Sequence, residues 1–242
     1  MKKILLITAS CLLITSLFAQ DNLETPKKKQ PIDLSGRAND HFLIQLGYAG
    51  WAGKPDSINT GGLSKSFNVY FMYDFPFKTN PHLSMAFGPG IASDHISFKS
   101  TYVGIKDVTP VIHFTNQADT NHFKRTKLVT AYLEAPIEFR YTGDPMNSSK
   151  SFKAAIGVKV GTMLTAHTRN KDLQNKSGNT LLSYVQKESS KRFFNSNRLS
   201  VMGRIGYGHF TLFGSYQITT LFKDAVAAEI RPFSIGLTLS GL

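Results

Sequence analysis

Tyr132-Leu133-Glu134-Ala135-Pro136-Ile137-Glu138-Phe139-Arg140-Tyr141 alternates almost without interruption. Its odd positions (Leu133, Ala135, Ile137, Phe139, Tyr141) are apolar, and its even positions include Glu134, Glu138 and Arg140. After Thr142-Gly143-Asp144-Pro145 and a polar connector, the alternation resumes from Ser151 to Thr165. There Phe152, Ala154, Ile156, Val158, Val160 and Leu164 oppose Lys153, Ala155, Gly157, Lys159, Gly161, Met163 and Thr165. A period of two kept up this long describes strands with two unlike faces.

The same period recurs along the chain. Phe42, Ile44, Leu46 and Tyr48 oppose Leu43, Gln45, Gly47 and Ala49; Phe67, Val69, Phe71, Tyr73 and Phe75 oppose Ser66, Asn68, Tyr70, Met72 and Asp74. Leu83 to Ile91, Leu199 to Tyr207, Phe210 to Ile218 and Phe233 to Leu239 complete the set. Longer connections (52–63, 93–125, 167–197, 222–230) alternate with short turns around Asn80, Pro145 and Gly208. The pattern predicts an all-β, eight-stranded antiparallel up-and-down barrel, with the loop asymmetry of outer-membrane barrels.

The composition of the two faces decides which one is outside. A soluble barrel turns its polar face to water and carries many Lys, Glu and Asp on it. Here that face is mostly Gly, Ala, Ser and Thr, which suits the narrow interior of an eight-stranded barrel. The other face is almost wholly Phe, Leu, Ile, Val and Tyr, as lipid requires. Tyr48, Trp51, Tyr73, Phe75, Tyr141, Tyr207 and Phe210 fall near strand ends, where aromatic girdles sit. Pro136 cannot donate to a strand ladder, so a bulge or break is expected there.

Lys2-Lys3, the apolar run Ile4 to Ala19 and the polar Gln20-Asp21-Asn22 form a secretory signal, with cleavage expected after Ala19. Residues 20–40 are polar and aperiodic, and read as a periplasmic lead-in to a barrel domain over 41–242. The single cysteine, Cys11, lies inside the signal, so the mature chain would have no thiol chemistry. The formal charge is +12. For an exported chain this excludes nucleic acid in practice and points to phosphate-rich membrane surfaces. The location implied is the outer membrane of a Gram-negative bacterium.

By parity Asp74, Glu134, Glu138, Arg140, Lys153, Lys159 and Arg204 face the lumen. Paired carboxylates beside lysines suit acid–base chemistry or a conduction path; the plainer reading is a self-neutralising network that fills a narrow lumen. The seven histidines share no metal-ligand spacing, and no cofactor motif is present. His95 with Ser97, or His167, is the only pairing at the outer rim that resembles a lipid-modifying enzyme. Arg169, Lys171, Lys176, Lys187, Lys191 and Arg192 make the third long connection basic. They read as a solvated loop or as a contact for lipopolysaccharide phosphates.

Three stretches carry a family resemblance: Tyr132-Leu133-Glu134-Ala135-Pro136, the strand Ala155-Ile156-Gly157-Val158-Lys159-Val160-Gly161-Thr162-Met163-Leu164, and Leu212-Phe213-Gly214-Ser215-Tyr216 leading to Leu221-Phe222-Lys223. From Phe42 onward the chain resembles the PorT-like outer membrane protein beta-barrel family. The resemblance implies a barrel without catalytic residues, associated with structure, adhesion or protein secretion. Partners would then be outer-membrane lipid and subunits of a secretion or surface complex. A narrow pore or a lipid A-modifying enzyme are the alternatives.

Overall fold

The computed structural model describes residues 41–241. The expected signal (1–19) and the lead-in (20–40) lie outside the described residues. No helix among the described residues is long and apolar enough to cross a membrane; the only helical element among them is a 3₁₀ turn at Ser148–Lys150.

The strands are β1 (Phe42–Ala52), β2 (Lys65–Phe71), β3 (Tyr73–Pro76), β4 (Leu83–Phe87), β5 (Gly90–Phe98), β6 (Thr101–Val103), β7 (Phe114–Asn116), β8 (His122–Thr142), β9 (Phe152–Gln174), β10 (Thr180–Ser189), β11 (Asn197–Tyr207), β12 (Phe210–Gln217) and β13 (Arg231–Ser240). Antiparallel pairing runs β1-β2-β5-β8-β9-β11-β12-β13 and returns to β1, from Leu43↔Ser240 to Ala52↔Arg231. These eight members form a closed ring. β3 continues the strand begun by β2, and β4 leads into β5; among the described residues β3 pairs only with β4 and is an edge at the lower end.

Burial follows the predicted parity. On β8, Leu133, Ile137, Phe139 and Tyr141 are exposed and Glu134, Glu138 and Arg140 are buried; on β9, Phe152, Ile156, Val158 and Val160 are exposed and Lys153 and Lys159 are buried. The apolar face is thus the outer one. A lysine placed on it near mid-membrane would cost about 2–4 kcal/mol, which keeps Lys153 and Lys159 inside.

Four expectations need correction. The ladder between β8 and β9 runs in register through Pro136, which pairs with Lys159. The interruption lies in the neighbouring strand instead. Ile137 pairs with Phe87 and Glu134 with Gly90, so residues 135 and 136 stand opposite Gly88 and Pro89, the break between β4 and β5. Gly88 is required at that bend, because a Cβ there would collide with the carbonyl oxygen of Phe71. Second, Trp51 belongs to no girdle. It points inward at 7% exposure, with ring centroids of Phe98, Phe222 and Phe114 at 5.4, 6.0 and 6.1 Å.

Third, the connections 93–125 and 167–197 are largely strand. β8 and β9, of 21 and 23 residues, continue beyond the apolar band and join β10 in a three-stranded projection, and β6 pairs with β7 in a small hairpin. Alternation is not legible there because upper β8 and β9 are mostly polar on both faces and the apolar residues of β10, Leu181, Leu182, Tyr184 and Val185, do not keep a period of two. Fourth, β9 changes parity on the way. Thr165 pairs with Ala131 but Met163 pairs with Tyr132, so Leu164 is an extra residue. Such a bulge rotates all later side chains to the opposite face.

Candidate functional site

The barrel interior brings together all seven residues assigned to it by parity. Glu138, supplied by the middle of β8, accepts from Arg140 Nε at 2.7 Å and from Arg204 Nη2 on β11 at 2.8 Å. Arg140 also lies 3.6 Å from Asp74, whose carboxylate accepts from Ser84 Oγ at 2.7 Å. Lys159 Nζ is 3.7 Å from Glu134 Oε2, which accepts from Tyr70 OH at 2.6 Å. Lys153 is buried in the same interior.

Two further members do not follow from the strands read in the sequence: Arg198 falls between the expected connection 167–197 and the strand from Leu199, and Asp94 falls in the expected connection 93–125. Arg198 bridges Asp94 at 3.0 Å and Glu134 at 3.1 Å, with its guanidinium 4.7 Å from the centroid of the Tyr132 ring. Parity contained the signal for both: Arg198 continues the inward series Ser200, Met202, Arg204, and Asp94 continues Ala92. The interior thus sets Arg140, Lys153, Lys159, Arg198 and Arg204 against Asp74, Asp94, Glu134 and Glu138. Near-neutrality is what a low-dielectric lumen demands, since an unpaired buried charge costs several kcal/mol. Toward β1, β2 and β13 the filling is uncharged: Asn68 donates to Gln45 and Gln45 to Thr238, each at 3.1 Å.

Above the ion network the outer end is closed by apolar side chains. Trp51, Ile58, Phe98, Ile105, Phe193, Phe194, Phe222 and Ile230 form one buried cluster with inward residues of the wall. Phe193 and Phe194 come from the basic connection and are buried in this cluster, neither an exposed contact patch nor a dip toward the membrane. A cavity of about 10 Å³ between Trp51, Asp94, Tyr132 and Gln217 is at the threshold for one water.

Of the six basic residues expected on one loop, Arg169, Lys171 and Lys187 lie on strands, Lys176 in the turn between β9 and β10, and Lys191 and Arg192 after β10. Arg169 and Lys171 lie on upper β9, turned outward by the Leu164 bulge, and Lys187 on β10 pairs with Arg169 across the strands. Lys171 is 3.8 Å from Asp172 and Lys176 is 3.1 Å from Asp119. Lys191 is exposed beyond β10. Arg192 stacks 5.4 Å from the Phe193 ring.

His95 bonds to Ser93 Oγ at 3.1 Å, whereas Ser97 Oγ donates to the Leu63 carbonyl, so the expected His95–Ser97 pair is not formed. His41, His82 and His209 each meet a strand carbonyl (Met72, Thr142, Ser240) at the short-turn end. Among the described residues no three His, Cys, Asp or Glu side chains converge as metal ligands would.

The family described as outer membrane protein beta-barrel domain matches residues 18–219. Among solved structures, the chain is similar to the crystal structure of Ail, the attachment invasion locus protein of Yersinia pestis. Identity is 15% over 82% of this chain and 95% of that one, with a TM-score of 0.36. The same protein in complex with the heparin analogue sucrose octasulfate gives 0.34 at the same identity and coverage. No curated protein matches.

Proposed function

Since this chain belongs to the outer membrane protein beta-barrel domain family, we propose that it is a closed, non-enzymatic outer-membrane anchor for the surface carried at its outer end. The filled lumen carries this reading. Ion pairs from Arg140–Asp74 to Arg198–Asp94 occupy the interior along the barrel, and the Trp51 cluster covers its outer end. A conducting barrel needs a water-filled path, and an eight-stranded one has little room for it. Purified protein in planar lipid bilayers is therefore expected to give no discrete conductance steps. Stable ohmic openings would overturn the reading in favour of a narrow pore.

Within this reading the barrel serves adhesion or a secretion-associated, PorT-like role, and the projection made by β8, β9 and β10 supports both. β10 is an edge strand with Leu181, Leu182, Tyr184 and Val185 exposed, and an unpaired edge is a template for an added strand. Deleting residues 175–189 separates the two roles. Loss of surface attachment favours adhesion, and loss of exported cargo favours secretion. Arg169 and Lys187 are placed beside each other for contact with lipopolysaccharide phosphates. Incubation with lipid A, followed by mass spectrometry, is expected to show no loss of acyl chains; deacylation would restore the enzyme alternative.

A further inference from the structure

We propose that the outer wall over β1, β2, β5 and β8 binds one phosphorylated lipid of the outer leaflet, its acyl chain in an apolar recess and its phosphate on Lys65 and Lys127. This rests on the outer-membrane placement argued above. Its cations adjoin Arg169 and Lys187 on the same outer face, since Lys127 is paired directly with Arg169 across β8 and β9.

Two recesses meet there. The lower, about 390 Å³, is walled by Leu46, Tyr48, Leu63 and Phe67, with Lys65, His95 and Lys127 at its upper rim. The upper, about 420 Å³, shares Leu63, Lys65 and Lys127 and adds Lys99, Lys124 and Arg125. Leu46, Tyr48 and Phe67 belong to the lipid-facing series, so the lower recess opens into the acyl region. The cations begin where that series ends.

Strand register fixes the cluster. Lys65 is paired directly with His95, and Lys127 with Ser97, the next residue on the same face of β5. Directly opposed and diagonal neighbours on one sheet face lie within reach of one another, and like charges there repel. Carboxylates would normally relieve this. No Asp or Glu lines either recess, and among the described residues none of Lys65, Lys99, Lys124, Arg125 and Lys127 forms an ion pair. Elsewhere on the surface Lys171, Lys176 and Arg231 each have a carboxylate within 4.0 Å. A phosphate supplies the missing anion, and the apolar recess beneath it selects a phosphate that carries a chain. A free anion would use only the upper half.

The test uses the full chain folded in detergent, with native mass spectrometry and titration of bisphosphorylated lipid A. The wild type is expected to retain one lipid. Lys65→Gln with Lys127→Gln should weaken retention by roughly tenfold to thirtyfold, the size expected for two surface cations, and flatten its salt dependence. Arg231→Gln, which removes a surface cation already paired with Glu229, should leave it unchanged, and Lys65→Arg should preserve it. Lipid A stripped of both phosphates should not be retained, and millimolar inorganic phosphate should not displace the intact lipid. Heat-modifiable gel mobility identifies any variant that has not folded; Lys65→Arg and the paired-cation variant then bear the comparison. Equal retention by the Lys65/Lys127 variant or of dephosphorylated lipid would overturn the proposal, as would full displacement by inorganic phosphate. The conductance measurement is independent: a closed barrel that retains no lipid refutes this inference alone.

Discussion

Replacing Glu138 with alanine tests whether the lumenal ions hold the barrel together. The Glu138 carboxylate is the acceptor for Arg140 Nε at 2.7 Å and for Arg204 at 2.8 and 3.2 Å. After its removal Arg140 keeps Asp74 at 3.6 Å, while Arg204 loses the carboxylate its two bonds use. Removing one partner of a buried pair costs about 3–5 kcal/mol, because the remaining charge stays desolvated. Replacing both partners with apolar groups of similar volume is close to neutral by the same principle. E138A should therefore lower stability by about 3–5 kcal/mol, and E138M/R204M should recover at least half of the loss. Urea unfolding of the barrel from phospholipid vesicles, followed by tryptophan emission, measures both. A loss below about 1 kcal/mol for E138A, or a double variant as unstable as the sum of its singles, would refute the clamp.

The one tryptophan makes a second test direct. Trp51 packs in the outer cluster and not in the girdle, so its emission should be blue-shifted and resist quenching both by acrylamide and by lipids brominated along the chain. Strong quenching by brominated lipid would return it to the membrane surface. Two glycines in neighbouring strands should answer differently to alanine. A Cβ on Gly236 would collide with the Leu46 carbonyl oxygen, while one on Gly214 meets nothing within 4 Å. Gly236→Ala should reduce the yield of folded, heat-modifiable barrel severalfold, with Gly214→Ala matching the wild type. Tyr102 donates to Asp107 at 2.9 Å, and burial, then that bond, raise its phenol to about 12. An acid raised in the folded state stabilises it fully below the unfolded pKa near 10 and stops doing so as pH climbs through the folded value. The β6–β7 hairpin should open between about pH 10 and 12 by hydrogen exchange, and Tyr102→Phe should remove that pH dependence.

Much of this molecule could be read in the chain. Alternation over Tyr132–Tyr141 and Phe152–Leu164 is sufficient to define which side chains face lipid, because a strand has only two faces and lipid accepts one kind. It placed Glu134, Glu138, Arg140, Lys153, Lys159, Asp74 and Arg204 inside before any partner was known. The tertiary structure alone decided who pairs with whom: Arg198 meets Asp94 and Glu134 from strands far apart in sequence, and only the assembled barrel brings them to 3.0 and 3.1 Å. It also decided the outer end. Trp51 and Phe98 stand at the outer ends of β1 and β5 while Phe193 and Phe222 sit in separate connections, and their common core depends on how those connections fold over the barrel. The cations show the same division. Parity assigns a face only while register holds, and the extra Leu164 in β9 reversed it for Arg169 and Lys171. The cluster of Lys65, His95 and Lys127 is a consequence of inter-strand register, a quantity that no single strand contains.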